Sequence, residues 1–434
     1  MKLLLSSITL LFAASLFSSS ASGQAQMVPV PEVAPAPKVA VVVKAPARCP
    51  GTVNVQASAA VGHALASLGA LYSQDHTPVT GQPDPEPTSG TGQTSAQPSP
   101  AFPHEKVKSV NRSFKVKSSD KLSIDNQFGL VNVQTWTRPE VVVEVTIIAR
   151  AEMESKAQEI LDKINVRVSD ERASGLISFV TEREPMHIRS STQKSFEINY
   201  LVKMPRANPL RVTNKYGSVQ LPDLDGPTEL CTRYGKLTAG RLNNRANKIS
   251  IDYSSGECQI GYLRGGDLAI KYSALRLNGG ETINAYTAYS AVSIDRVEDL
   301  NVESRYDRVF KVGSVNQVNG KGSYSSFVID NLKGSAGMEV KYCSKFEIGS
   351  IDQNFKKVDV TSGYTSVKLG FADKSAFNFD VNTDYSNLKV DQNLVDFSFR
   401  EVKNTSASYK GKYGKASPRG TVSVNSRYGN VQFY

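Results

Sequence analysis

The chain has 434 residues, a hydrophobic fraction of 40% and a formal net charge of +10 at pH 7. This length allows one large domain or two ordinary ones. Of the four histidines, His63, His76 and His104 precede residue 106 and the fourth is His187. Residues 206–434 therefore contain none, which excludes a Ser-His-Asp or Cys-His catalytic arrangement there and disfavours a histidine zinc site.

The first residues have the pattern of a secretory signal peptide. Lys2 is followed by the apolar run LLLSSITLLFAASLF and then by small residues, with a cleavage position between Gly23 and Ala25. The run is shorter than the about 20 residues that a membrane-spanning helix needs, and no later stretch could span a bilayer as a helix. We predict a signal peptide over residues 1–25 and an exported protein in the periplasm, at the cell surface or outside the cell.

Proline, alanine, serine, glycine and threonine dominate the next segment, as in QPDPEPTSGTGQTSAQPSP. Proline removes backbone hydrogen-bond donors and keeps the chain extended. Residues 26–105 are therefore predicted to be a disordered, Pro/Ala/Ser-rich low-complexity spacer.

A region of mixed pattern follows the spacer. EVVVEVTIIAR predicts a nearly continuous strand, and ESKAQEILDKI places Ala157, Ile160, Leu161 and Ile164 on one face of a helix. Residues 106–205 are predicted to be a small α+β unit with one helix near 154–164. Such a unit would cap the segment that follows, because an open end exposes unpaired strand edges.

A degenerate repeat fills the rest of the chain. VTNKYGSVQL (212–221) returns as VNSRYGNVQF (424–433), and IDNQFGLVNV (124–133) is an earlier copy. Most neighbouring tyrosines of the repeat are 17 to 22 residues apart, and a small residue usually follows each. The predicted structural aromatic ladder consists of Tyr216, Tyr234, Tyr253, Tyr272, Tyr289, Tyr306, Tyr324, Tyr342, Tyr364, Tyr385, Tyr413 and Tyr428.

Apolar residues alternate on both sides of each tyrosine, as with Leu210 and Val212 before Tyr216 and with Val219 and Leu221 after it. This period indicates strands with one buried face, and the change of phase requires a bend, where a small residue is favoured. Units this short must stack to bury that face. We predict an all-β protein in which residues 206–434 form a parallel β-solenoid of about twelve short rungs. An antiparallel β-sandwich or barrel is the alternative.

Cations recur just before the repeated aromatic residue. They are Lys215, Arg233, Lys271, Arg305, Lys341, Lys412 and Arg427, opposed only by Asp252 and Asp384. Equal offsets form one column in a solenoid, so these side chains would line a basic stripe. A solvated outer face is the simpler interpretation. The sharper hypothesis is a groove for an extended polyanion such as acidic polysaccharide, lipopolysaccharide or extracellular DNA.

No motif for a metal, a cofactor or a catalytic residue stands out. The four cysteines (Cys49, Cys231, Cys258 and Cys343) lack metal-ligand spacing. A disulfide is permitted in an exported protein, but the sequence cannot pair them, and isolated small hydrophobic residues are the favoured interpretation. The aspartates of the repeats take different offsets, so no close carboxylate pair of the glycosidase type is predicted. A non-enzymatic interaction protein is the first prediction. A polysaccharide-active β-helix enzyme and a purely structural envelope component are the alternatives.

The ordered combination of LSIDNQFGLVNVQTW, YLVKMPRANPLRVTNKYGSVQL and the repeated YG or YS units resembles the bacterial "putative-adhesin" β-strand repeat family over about residues 106–434. The resemblance implies an exported or envelope-associated β-solenoid of adhesin-like type and brings no catalytic residues. Self-association through the C-terminal unit, which ends on GNVQFY without a following cap, is a further hypothesis.

Overall fold

A computed structural model describes residues 102–171, 173–186 and 194–434. The predicted signal peptide, nearly all of the predicted spacer, Cys49 and His187 lie outside these residues. Within them the chain is almost entirely β-strand, in agreement with the all-β prediction. In these ranges no helix has both the length and the apolar character that crossing a bilayer would require.

The described strands belong to one continuous hydrogen-bonded sheet. In chain order the elements are β1 (His104–Lys115), β2 (Lys121–Gln127), β3 (Val131–Trp136), β4 (Glu140–Ala151), α1 (Glu154–Asp162), β5 (Ile164–Glu171), β6 (Leu176–Arg183), β7 (Lys194–Pro205), β8 (Leu210–Lys215), β9 (Val219–Leu221), β10 (Thr228–Arg233), β11 (Leu237–Leu242), β12 (Asn247–Asp252), β13 (Glu257–Lys271), β14 (Ala274–Leu277), β15 (Gly280–Ala288), β16 (Ala291–Arg305), β17 (Val309–Ser323), β18 (Ser326–Lys341), β19 (Lys345–Ile351), β20 (Lys357–Gly363), β21 (Val367–Phe371), β22 (Phe377–Asp384), β23 (Leu388–Lys389), a 3-10 helix (Gln392–Leu394), β24 (Val395–Val402), β25 (Ser406–Tyr413), β26 (Gly420–Arg427) and β27 (Val431–Phe433).

The N-terminal strands form a mainly antiparallel layer. β4 lies between β1 and β7 and is antiparallel to both, while β5 pairs antiparallel with β6. The helix α1 buries Ala157, Ile160 and Leu161 and contacts β1 and β4. β2 and β3 pair in parallel with β8 and β9, the first strands of the repeats. Backbone hydrogen bonds therefore continue from this layer into the repeats.

Successive repeat units pair in parallel, with equivalent residues in register. Val212 lies opposite Leu230, Leu230 opposite Ile249, and Ile249 opposite Leu268. All four side chains are buried. Because side chains of a strand alternate between its two faces, in-register pairing aligns the apolar positions of successive units into continuous internal columns.

Three phenylalanines fill one of these columns. Phe310, Phe327 and Phe346 lie opposite one another in β17, β18 and β19, with ring centroids 5.0 and 6.1 Å apart. None of them is more than 1% exposed. Stacked aromatic pairs contribute about 0.5–1.5 kcal/mol beyond the burial of their area, so this column adds to the stability of the core.

The last units do not stack in the order of the chain. The unit of β26 and β27 is inserted between the unit of β20 and β21 and the unit of β22 and β23. β25 pairs antiparallel with the other edge of β22, and β24 pairs antiparallel with β25. The expectation that the C-terminal unit forms an uncapped end is therefore wrong. Both of its backbone edges are already paired, which removes the basis for self-association through it.

Candidate functional site

A column of twelve stacked aromatic rings lies along one edge of the repeats, and we call it the aromatic ladder. Neighbouring ring centroids are 4.6–5.2 Å apart and ring planes lie within 18° of parallel. Ten of the tyrosines are 38–57% exposed. In stacking order the ladder contains Phe128, Tyr216, Tyr234, Tyr253, Tyr272, Tyr289, Tyr306, Tyr324, Tyr342, Tyr364, Tyr428 and Tyr385.

Tyr413 was predicted to be a member but lies outside the ladder. It belongs to the antiparallel strand β25, and its buried ring stacks on Phe377 at 4.7 Å. Its neighbour Lys412 lies opposite Asn378 and Asp396, away from the other predicted cations. Both assignments are wrong because the spacing of tyrosines does not reveal the direction of a strand.

The bend of each unit is located at the aromatic residue itself. All twelve ladder residues have φ between 49° and 62°, a left-handed conformation that costs a residue with a Cβ about 1–2 kcal/mol. Each interior ring stacks on two neighbours, and each stacked pair contributes about 0.5–1.5 kcal/mol. Stacking therefore offsets much of the backbone strain. The prediction that the bend lies at the small residue after the aromatic is therefore wrong.

The small residue after the aromatic instead permits close contact between units. A Cβ on Gly217 would lie 1.9 Å from the carbonyl oxygen of Gly129. In later units a serine replaces glycine, and its side chain joins neighbouring corners. The Ser254 N–H donates to Oγ of Ser273 at 3.0 Å, and the Ser273 N–H donates to Oγ of Ser290 at 3.3 Å. Sequence reasoning missed this hydrogen-bond chain, whose only signal was the preference for small residues.

Asp307 occupies the same corner position in the unit after Ser290. Its carboxylate accepts hydrogen bonds from the Ser290 N–H at 2.8 Å, from Oγ of Ser304 at 2.6 Å and from the Thr287 hydroxyl. The residue is only 2% exposed. Burial raises the pKa of this carboxyl above its ordinary value, and the three hydrogen bonds oppose that rise only in part.

We expect wild-type protein to gain stability relative to an Asp307→Asn variant as the pH falls from neutral to about 4. The raised pKa means that the folded state binds this proton more readily than the unfolded state does. The stabilisation from this proton is complete below the pKa that Asp307 has in the unfolded state. It is lost as the pH rises through the pKa that Asp307 has in the folded state. Thermal unfolding of both proteins across this range measures it. A difference in Tm that does not change with pH would contradict the prediction.

Six of the seven predicted cations lie in one column beside the ladder. Other residues interrupt the column, and only Lys215 and Arg233 occupy adjacent units. Repulsion between the like charges is therefore small. From unit to unit the column reads Lys215, Arg233, Asp252, Lys271, Ala288, Arg305, Ser323, Lys341, Gly363, Arg427 and Asp384.

Half of these cations form ion pairs with nearby acids. Such surface pairs add little stability, but each one cancels a positive charge of the stripe. The stripe is therefore weaker than its number of cations indicates. The pairs are Arg233–Asp252 at 3.3 Å, Lys341–Glu339 at 2.7 Å and Arg305–Glu303.

The other three cations of the column lie against aromatic rings. The distances to the ring centroids are 4.8 Å for Lys215 over Tyr216, 5.3 Å for Arg427 over Tyr428 and 5.4 Å for Lys271 over Tyr286. None of the three has an ion-pair partner within the described part of the chain. A cation–π contact holds a cation in place without neutralising it, so these charges remain available to a ligand.

Metal-binding and nucleophilic groups were also sought. Among residues 102–171, 173–186 and 194–434, no cluster of three or more His, Cys, Asp or Glu side chains could hold a metal ion. Cys258 and Cys343 are buried free thiols, and burial raises the pKa of both, which opposes formation of a nucleophilic thiolate. Cys231 is disulfide-bonded, so its interpretation as an isolated hydrophobic residue is wrong.

The fold and the aromatic ladder define an all-β protein of stacked parallel units that presents an ordered row of tyrosines to solvent. No protein-family model and no curated protein matches the chain. A "putative cell adhesion protein" from Clostridium sporogenes ATCC 15579 matches in structure with 10% identity and a TM-score of 0.18, covering 76% of this chain and 99% of that one.

Two structures from Parabacteroides match at 11% identity. The "putative adhesin" from P. merdae ATCC 43184 has a TM-score of 0.27 and covers 60% of this chain and 96% of its own. The "putative lipid binding protein" from P. distasonis ATCC 8503 has a TM-score of 0.24, and the match covers 60% of this chain and 93% of that one. The adhesin names agree with the resemblance seen in the sequence motifs.

Proposed function

We propose that this chain is a non-enzymatic, adhesin-like interaction protein that works outside the cytoplasm. We infer one parallel β-solenoid of about twelve rungs over residues 206–434, capped by residues 106–205 and carried on the Pro-rich spacer of residues 26–105. The in-register parallel pairing of successive units supports the solenoid. The pattern of residues 1–25 supports export to the periplasm, the cell surface or the medium.

The solvent-facing aromatic ladder is the observation that carries this proposal. A long row of exposed aromatic side chains on a soluble protein marks an interaction surface. Because neighbouring rings cover both faces of each interior ring, a ligand meets ring edges and hydroxyl groups. These hydroxyls repeat at the ring spacing of 4.6–5.2 Å, beside Lys215, Lys271 and Arg427.

An extended polyanion suits such an edge better than a compact ligand does. A polymer with repeating acidic groups can contact many units at once, so weak contacts add within one binding event. The three available cations attract it over distance, and the tyrosine hydroxyls donate hydrogen bonds to its oxygen atoms. Acidic polysaccharide, lipopolysaccharide or another polyanion is the ligand class that we propose.

Reversal of the three ring-supported cations is expected to weaken polyanion binding. For a variant carrying Lys215→Glu, Lys271→Glu and Arg427→Glu, we expect the Kd for polygalacturonate and for lipopolysaccharide to rise about tenfold or more, equivalent to about 1.4 kcal/mol. Wild-type binding should also weaken at high salt, because counterions screen the attraction. Surface plasmon resonance with the full chain measures both effects.

The matched control reverses Lys248, Lys333 and Lys356, which are exposed and lie outside the cation column. It changes the net charge equally, so it separates a local effect from a general one. Equal weakening in both variants, or wild-type binding no tighter than that of the first variant, would overturn the ligand class. Shortening of polygalacturonate during incubation would instead overturn the non-enzymatic assignment.

A further inference from the structure

A cleft of about 650 Å³ lies away from the ladder, and each of its lining residues falls in sequence about midway between two consecutive ladder tyrosines. Its lining includes the Tyr262 ring, Gly279, Gly280, Glu281, Arg296 and Glu298.

The cleft exists because one unit lacks a side chain. The register places Arg241 opposite Tyr262 in the next unit. It then places Leu263 opposite Gly280, and Gly280 opposite Val297. The residues that precede Leu263, Gly280 and Val297 are Tyr262, Gly279 and Arg296, and these form a parallel column. A glycine therefore stands between a tyrosine and an arginine, which leaves a notch one unit high.

Tyr262 is held in place as a platform. Its hydroxyl donates to Oε1 of Glu281 at 3.1 Å, and Glu281 in turn pairs with Arg245 at 3.2 Å and with Arg264 at 3.5 Å. Arg241 covers one face of the ring, with its guanidinium carbon 4.2 Å from the ring centroid. The ring is thus oriented before any ligand arrives, which lowers the entropy lost on binding.

The Tyr262 ring lines the cleft beside Gly279. A Cβ built on Gly279 would lie 3.3 Å from Cδ2 of this ring, so a side chain at position 279 would crowd the ring and fill part of the cleft. With glycine there, a ligand can contact the ring. A sugar ring is puckered and would meet the Tyr262 ring through the apolar C–H groups on one of its faces.

Two charged side chains at the notch are left for a ligand. Arg296 and Glu298 are exposed and line the cleft, and neither forms an ion pair with another described residue. One supplies fixed hydrogen-bond donors and the other supplies acceptors. With Arg241 and Glu281 the cleft lining contains two arginines and two glutamates, and Glu281 is already paired with Arg245 and Arg264 outside the lining.

We propose that this cleft binds one sugar ring of a neutral glycan. The sugar ring packs against the part of Tyr262 that lines the cleft, while its hydroxyls accept hydrogen bonds from Arg296 and donate them to Glu298. A polyhydroxyl ring matches an aromatic side chain that lies beside both hydrogen-bond donors and acceptors. The site is separate from the aromatic ladder and does not depend on polyanion binding there.

Isothermal titration of the full chain with cellohexaose, maltohexaose and mannohexaose tests this site. We expect at least one of the three to bind, and we expect Tyr262→Ala and Gly279→Leu each to raise its Kd about tenfold or more, equivalent to about 1.4 kcal/mol. Tyr262→Phe keeps the platform and should retain binding. Tyr289→Ala removes an exposed ladder ring and should leave binding unchanged.

Circular dichroism melts establish that each variant is folded before its titration is interpreted, and the two disruptive variants perturb different residues. The proposal is overturned if none of the three sugars binds the wild-type protein, or if folded Tyr262→Ala and Gly279→Leu both bind as tightly as wild type. Loss of binding in the Lys215, Lys271 and Arg427 triple variant would also overturn it, because the sugar would then be bound at the ladder.

Discussion

Replacement of Phe327 by alanine is expected to lower the free energy of unfolding by about 3–5 kcal/mol. The side chain is fully buried between Phe310 and Phe346, so truncation removes its burial and two ring contacts and leaves a cavity. The stacked units are hydrogen-bonded through both neighbours and cannot close that cavity without breaking their register. Urea denaturation followed by far-UV circular dichroism measures the change.

Phe399→Ala is the matched control for this prediction. The same atoms are removed, but Phe399 is 47% exposed in β24, so the expected loss is below about 1 kcal/mol. Because arrays of repeats can lose cooperativity, the slope of each transition must be compared as well as its midpoint. Similar losses in the two variants would show that the phenylalanine column contributes no special stability.

Replacement of Gly217 by alanine is expected to destabilise the protein by about 3 kcal/mol or more, since it forces the first units apart. An alanine Cβ would lie 1.9 Å from the Gly129 carbonyl oxygen, and that oxygen is part of the backbone and cannot rotate away. The contact joins the unit of β2 and β3 to that of β8 and β9. Hydrogen exchange should therefore increase first in these strands, with the units near Phe327 less affected.

Gly256→Ala provides the comparison. No atom lies within 4 Å of a Cβ built at Gly256, so the substitution meets open space and the expected change is within about 0.5 kcal/mol. Both variants lose one glycine, so effects on the entropy of the unfolded chain are similar. A folded Gly217→Ala protein with wild-type Tm would mean that the corners of neighbouring units are not in close contact.

Much of the arrangement was predictable because its signals are local. The apolar residues around Tyr216 alternate with period two, and their equivalents in later units are the buried ones. The tyrosine spacing identified eleven of the twelve ladder rings, and the twelfth, Phe128, lies in the earlier copy IDNQFGLVNV. Six cations fall in one column because parallel pairing places equal offsets side by side.

Other features could not be predicted, because they depend on residues far apart in the chain. Lys412 and Tyr413 carry the repeat pattern but lie in an antiparallel strand. Every unit offers the same edge pattern, so nothing in the sequence shows that β26 inserts between β20 and β22. The ion pair of Arg233 with Asp252 requires knowing which units are neighbours.

The amino-acid sequence by itself determined the strand periodicity, the bend in each unit and the set of side chains that face inward, because these follow from steric rules acting within a few residues. Only the tertiary structure decided which units touch, which cations keep their charge, and that Gly279 opens a cleft beside Tyr262. Any strand edge can form hydrogen bonds with any other, so the sequence does not specify which units pair. Whether a glycine such as Gly279 leaves a cleft depends on the side chains in the two neighbouring units.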